Sequence, residues 1–323
     1  MDREEAGRRE AGREGMNGPA PADVARPAPA SAIRLDAVVR RQGTFTLGPL
    51  DMTVPTGLVT GFVGPNGAGK TTAIKAMLGM VGIDAGSISV LGGAPGTRHG
   101  RIGVVLDRLA LSRDWTAVSA ARSLGRFYPD WDQDLLDELL TRLDVPPRVK
   151  IKDLSRGQGV KLQLALALAH RPELLILDEP TSGLDPVARL EVLDILSDFL
   201  IAEGRTVLFS THITSDLERI ADHLRVIGAG RIRFAGTLPD LVEQWAMARG
   251  PVSALTPEAE AALVGTRRNG AGAFSGLIRT ADTAVFGPDV LIEPPSIDEA
   301  VVAMTRGPSW RSEERRVGKE CRS

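Results

Sequence analysis

Gly64-Pro65-Asn66-Gly67-Ala68-Gly69-Lys70-Thr71-Thr72 fits G-x-x-x-x-G-K-[ST], a phosphate-binding loop. The residue types follow from the ligand. A triphosphate is too densely charged to be surrounded by side chains alone, so backbone N–H groups must wrap it. Gly64, Gly67 and Gly69 let the chain bend into that cradle. Lys70 brings an ammonium to the β- and γ-phosphates, and Thr71 brings a hydroxyl ligand for Mg²⁺. The flanks agree. Leu58 to Val63 is a short, apolar, β-branched run, which predicts a buried strand. Thr72 to Leu78 sets Ile74, Met77 and Leu78 on one helical face. Strand, glycine loop, helix is the order that aims a helix N-terminus at phosphate.

Working outward, Ile33 to Val39, Phe45 to Leu47 and Leu50 to Val54 alternate as strands and predict a small antiparallel sheet. Ser87 to Leu91 and Arg101 to Leu106 are further short strands. From Asp107 to Lys152 the pattern turns helical, over Trp115 to Phe127 and Asp132 to Leu143, until Pro146-Pro147. Leu154-Ser155-Arg156-Gly157-Gln158 then precedes a Leu/Ala helix from Val160 to His170. Leu174 to Glu179 reads as a buried strand ending in two carboxylates, and Ser182-Gly183-Leu184-Asp185 as a turn before a helix from Pro186 to Leu200. Arg205 to Ser210 is a strand that delivers Thr211 and His212, followed by a helix to Asp222 and two strands, Leu224 to Ile227 and Arg231 to Ala235.

The chain has 323 residues, 43% of them hydrophobic, with a net charge of −2. It can bury a substantial core, and no global field selects nucleic acid or an anionic membrane. No apolar run reaches the roughly 18–20 residues that span a bilayer, and no signal-peptide core opens the chain. The single cysteine, Cys321, makes no disulfide framework. These features predict a soluble, cytoplasmic protein.

Residues 1–32 lack large apolar side chains except Met16 and Val24 and read as a disordered leader. Residues 246–308 read as a small accessory domain. Phe274 to Ile278 and Thr283 to Phe286 suggest strands there, and Ser296-Ile297-Asp298-Glu299 forms a capping box. Residues 309–323 read as an unstructured tail that resembles the translation of a sequencing adapter.

The motif order carries a resemblance. Gly64–Thr72, Leu154–Gln158, Leu174–Glu179, Ser182–Asp185 and His212 together resemble the ATP-binding subunit of an ABC transporter, over residues 33–245. Phe127 to Asp132 and Ser210 to Glu218 are similar to bacterial ABC-2-type transporter ATPases. The resemblance implies an α/β fold: a P-loop NTPase (RecA-like) core with an antiparallel β subdomain and an inserted α-helical subdomain at about 107–152. It implies ATP and Mg²⁺ as ligands and the whole stretch Gly64, Pro65, Asn66, Gly67, Ala68, Gly69, Lys70, Thr71, Thr72 as the phosphate site. Thr71 and Asp178 are the metal-side residues, Glu179 polarises the attacking water, and His212 contacts the γ-phosphate region. Leu154, Ser155, Arg156, Gly157 and Gln158 form the signature, which meets the ATP of a second subunit. Ser182, Gly183, Leu184 and Asp185 form the loop between the sites.

Two positions depart from the family pattern. Asp107 stands where a Gln is usual and is carried as a candidate metal or water contact. The base-stacking aromatic falls near Arg41 by spacing, with Phe45 the nearest aromatic. The implied partners are a transmembrane permease and a second ATP-binding subunit, identical or different, and no nucleic acid. The implied location is the inner face of the cell membrane, with export as the direction. Other readings are a non-transport ABC-type ATPase acting as a soluble mechanochemical factor, and a P-loop kinase or GTPase. The first usually carries tandem cassettes or a long coiled-coil insertion, and the second leaves Leu154 to Gln158 unexplained.

Overall fold

The computed structural model describes residues 30–107 and 111–305. The expectations for residues 1–29 and for the tail from 306 onward therefore lie outside the described residues, as do 108–110 within the helical insertion.

A first sheet forms from β1 (Ser31–Gln42) and β2 (Phe45–Pro55), paired antiparallel. β3 (Val59–Val63) leads to α1 (Lys70–Met77), and β4 (Ala85–Val90) returns to pair with β1, giving the order β2-β1-β4. The leader expected to run to residue 32 ends earlier. Ser31 pairs with Pro55 across a register shift before Ile33, and the small Ala32 is buried beside Ile33.

β5 (Ile102–Val105) opens the second sheet, followed by the helical insertion α2 (Ala117–Leu124) and α3 (Gln133–Arg142). Then come α4 (Arg156–Leu168), β6 (Leu174–Asp178), α5 (Pro186–Leu200), β7 (Thr206–Thr211) and α6 (Thr214–Ile220). β8 (His223–Gly228) and β9 (Arg231–Thr237) complete six strands in the order β5-β6-β7-β3-β8-β9, parallel except for β9. Parallel sheets are covered on both faces, which is why β3, β6 and β7 are buried at every position. Alternation sorts their side chains. Phe62, Leu174, Ile176 and Leu208 face α1 and the antiparallel sheet; Val63, Leu175, Leu177 and Phe209 face α4, α5 and the insertion.

After α7 (Leu238–Gln244), β10 (Trp245–Pro251) begins a third sheet. α8 (Pro257–Ala262) leads to β11 (Val264–Arg268), β12 (Ala273–Arg279) and β13 (Leu291–Glu293), ordered β11-β12-β10-β13. The strand expected over Thr283 to Phe286 is instead a 3₁₀ turn, Thr280–Val285. The Thr283 hydroxyl donates to Thr280 O at 3.0 Å, a local bond that competes with extended backbone. The last helix, α9 (Ile297–Thr305), has the expected cap: Glu299 N donates to Ser296 Oγ at 3.2 Å and Ser296 N to Glu299 Oε2 at 3.1 Å. α9 bridges its own sheet and the six-stranded unit: Met247 and Leu277 of the third sheet lie in the same cluster as its buried face. Ala300, Val301 and Met304 enter the same core as Leu217, Leu224 and Val226 of the six-stranded unit.

Candidate functional site

The C-terminal ends of β3, β6 and β7 converge, where open parallel sheets bind ligands. The loop 64–69 leaves β3 and closes on α1. Its glycines are dictated locally: a Cβ at Gly64 would sit 2.2 Å from Ile227 O, and Gly69 has φ 111°. Around the loop lies a cleft of about 590 Å³, lined by Phe45, Pro65, Asn66, Gly67, Gly69, Lys70, Thr71, Thr72, Asp107, Glu179, Ser182 and His212. Ala68 turns inward and is 4% exposed. Of the two base-stacking candidates, Phe45 lines the cleft. Arg41 pairs with Thr46 across the hairpin, and its backbone N–H donates to Asp84 Oδ2 at 2.5 Å.

Lys70 is only 5% exposed, yet its ammonium is well coordinated. It donates to Gly64 O at 2.6 Å and Pro65 O at 3.3 Å, and lies 3.1 Å from Glu179 Oε1. Buried charges must be paired, and these contacts pair it. Asp178 closes β6 at 1% exposure and accepts from Thr71 Oγ1 at 2.7 Å and Ser210 Oγ at 3.0 Å. Burial pushes its carboxyl above the ordinary carboxylate range, against those two hydrogen bonds. Ser210 was read only as a strand end; its partner across the sheet is Asp178, a pairing that sequence separation hides.

Glu179 is not the last residue of the strand, as the run Leu174 to Glu179 suggested. β6 stops at Asp178, and Glu179 swings into the left-handed region at φ 54°. Its N–H still bonds Ser210 O at 2.9 Å, but its side chain now faces the cleft. Glu179 Oε2 lies 2.6 Å from His212 Nδ1 and also accepts from His212 N at 3.3 Å. A carboxylate, an imidazole and an ammonium thus meet over the glycine loop.

The signature is built differently. Ser155 caps α4, with Gln158 N donating to Ser155 Oγ and Ser155 N to Gln158 Oε1, each at 3.1 Å. Ser155, Arg156 and Gly157 do not line the cleft, and neither do Leu154 and Gln158. The Arg156 guanidinium lies against Gly183 and reaches Asp107 Oδ1 at 3.4 Å. Asp107, the position where the family usually has Gln, is therefore engaged by the signature's own arginine. Leu184 packs into the core and Asp185 caps α5 through Val187 N and Ala188 N, both at 3.0 Å. Gln163 went unread in a Leu/Ala helix, although a lone amide there was the available signal. It brackets Leu106, donating to its O at 3.2 Å and accepting from its N at 3.3 Å, and so fixes the strand end before Asp107.

Of the other histidines, His170 and His223 lie away from the cleft. His170 stacks on Tyr128 at 4.1 Å between ring centroids. Among the described residues, no helix is long and apolar enough to cross a membrane, and no group of three or more His, Cys, Asp or Glu could hold a metal.

The family model described as ABC transporter matches residues 47–182. The chain is 38% identical over 227 residues to the Nod factor export ATP-binding protein I of Neorhizobium galegae, covering 67% of this chain and 65% of that one. It is 34% identical over 235 residues to the protein of the same name from Cupriavidus pinatubonensis, covering 69% and 71%. A solved ATP-binding subunit of an ABC transporter superposes with a TM-score of 0.59 at 25% identity, over 65% of this chain and 92% of that one. A nucleotide-free ATP-binding cassette from an ABC transporter, at 23% identity and a TM-score of 0.55, shares the fold.

Proposed function

This chain belongs to the ABC transporter family of ATP-binding proteins, and we propose that it powers export by a separate membrane-embedded permease. It binds and hydrolyses ATP in the cleft above the glycine loop. The observation that carries the site assignment is the meeting of Lys70, Glu179 and His212 within hydrogen-bonding reach over that loop.

The triphosphate takes the place of Glu179 as the partner of Lys70, while loop N–H groups and the start of α1 surround its oxygens. Freed of Lys70, Glu179 orients the attacking water, and His212 holds that carboxylate from the other side. Phe45 offers its ring to the base. Mg²⁺ fits the donor set: a hydroxyl and a buried carboxylate, both hard oxygens, already lie 2.7 Å apart at Thr71 and Asp178. Those two residues would hold it, and it would neutralise charge on the β- and γ-oxygens. Asp107 shares the cleft, but its carboxylate is engaged by Arg156.

Ser155 and Gly157 do not line this cleft, so the helix start they open serves the nucleotide of a second subunit. Two chains pair head to tail around two nucleotides, and loss of the γ-phosphate contacts reopens them. The helical insertion carries the permease-docking surface, on the inner face of the membrane. The cassette runs from β1 at Ser31 to the end of α7 at Gln244, and the accessory segment from Trp245 to Thr305, the last described residue.

Glu179→Gln tests this. Turnover should fall by about 10³-fold, within the range for loss of a general base, while Mg-ATP is still bound. Saturated with Mg-ATP, the variant should sediment as a pair. Wild-type turnover would refute the catalytic assignment, and a single chain even with the permease present would refute the pairing.

A further inference from the structure

Glu179 presents a question of support. A non-glycine residue at φ 54° sits in a sparsely populated region and holds there only if its surroundings enforce it. Its backbone has two bonds, from Glu179 N to Ser210 O at 2.9 Å and from Ser182 N to Glu179 O at 3.2 Å. Neither fixes its side chain against His212. His212 starts an irregular loop of its own, and both of its contacts, from Nδ1 and from N, converge on the single oxygen Glu179 Oε2, about which the two side chains can still pivot.

A second bond removes the pivot. Thr181, two residues beyond Glu179, donates its hydroxyl to Asp216 Oδ2 at 2.6 Å, and Asp216 lies four residues beyond His212. Both residues are 1% exposed, so the bond forms where unpaired polar atoms are costly. The other oxygen, Asp216 Oδ1, accepts from Arg189 Nε, and Arg189 Nη2 donates to Ser215 Oγ at 2.6 Å. Arg189 belongs to α5, the helix that Ser182–Asp185 leads into. One buried carboxylate therefore ties together the strand-end loop with Glu179, the loop with His212, and α5.

We propose that Asp216, itself held in place by Arg189 of α5, is a positioning residue that locks His212 onto Glu179 through Thr181. It touches neither substrate nor metal, and acts only on the geometry of two groups that do. This rests on the assignment of Glu179 and His212 above. A misplacement of about 1 Å at such groups costs up to about 100-fold in rate.

Thr181→Val is the sharpest test, since it keeps the shape and deletes the donor. In the full chain, kcat for Mg-ATP should fall by about tenfold or more while KM moves less than about twofold. Thr181→Ser, which restores the hydroxyl, should return kcat to within about twofold of wild type. Combined with His212→Ala, Thr181→Val should add no further loss, because the two act as a unit. Should Thr181→Val fold poorly, Asp216→Asn keeps an acceptor for Thr181 but drops the charge facing Arg189, and the same kcat-against-KM split should appear. An unchanged kcat, an equal fall in kcat and affinity, or full additivity with His212→Ala would each overturn the proposal. A wild-type chain without turnover, or Glu179→Gln at full rate, would instead overturn the site assignment beneath it.

Discussion

Two helix starts in this molecule carry the proposed anion sites, and they differ in how finished they are. At α1, the glycine loop, Lys70 and Thr71 are backed by buried partners from β6 and β7. At α4, Ser155 is exposed and its cap bonds are made by its own Gln158. The Arg156 side chain, 57% exposed, leans back on its own chain. The first is a complete receptor. The second is a surface with its polar groups satisfied but nothing opposite, which suits half of a site completed by another chain.

Lys70→Ala should break the first start alone: ATP affinity falls by about 100-fold or more, as expected when a buried ammonium is removed from a phosphate site. Titration calorimetry reads this directly, and retained affinity would place the nucleotide elsewhere. Ser155→Ala should leave single-chain ATP affinity unchanged and cut turnover by about tenfold, since its target is on the partner. It should also cost about 1 kcal/mol of stability through the lost cap. If single-chain affinity fell as far as in Lys70→Ala, the contrast between the two starts would be gone.

Arg156→Gln should be smaller still. It leaves Asp107 without its cation beside a triphosphate, and ATP should bind about twofold more weakly. The pair is exposed and worth well under 1 kcal/mol, so the difference should vanish at high salt. The smallest effect concerns pH. Just beyond the end of α4 lies His170, which is buried and has its proton affinity lowered below the ordinary value of 6.5, chiefly by burial. The unfolded chain takes up that proton first, so the stability is present above about 6.5 and is lost as pH falls below it. His170→Gln should flatten this acid limb of thermal stability without altering ATP affinity at neutral pH. An unchanged acid limb would show that uptake of a proton by His170 on unfolding does not shape the acid limb.

The motif chemistry was legible because it is local. A glycine loop, a capping box or an apolar strand each declares itself within ten residues, and Pro186–Leu200 was read to its ends. Three kinds of feature were not. The turn of Glu179 out of β6 depends on Ser210, a neighbour only in the sheet. The 3₁₀ turn Thr280–Val285 was read as a strand at Thr283 to Phe286, because short Thr/Val/Phe runs satisfy a period of two by composition alone. The network of Thr181, Arg189 and Asp216 joins three segments distant in sequence, whose polar residue types give no sign that Thr181 and Asp216 are buried against each other.

The helix Ile297–Thr305 lies almost at the end of the described chain, yet it packs against β8, the strand beside β3. A ribosome makes residues in order, so the wall next to the ATP loop waits for a helix synthesised well after every nucleotide motif. Until that helix has emerged, Leu224 and Val226 lack part of their cover, and a chain stalled near Trp245 carries every nucleotide motif on an incompletely sealed core.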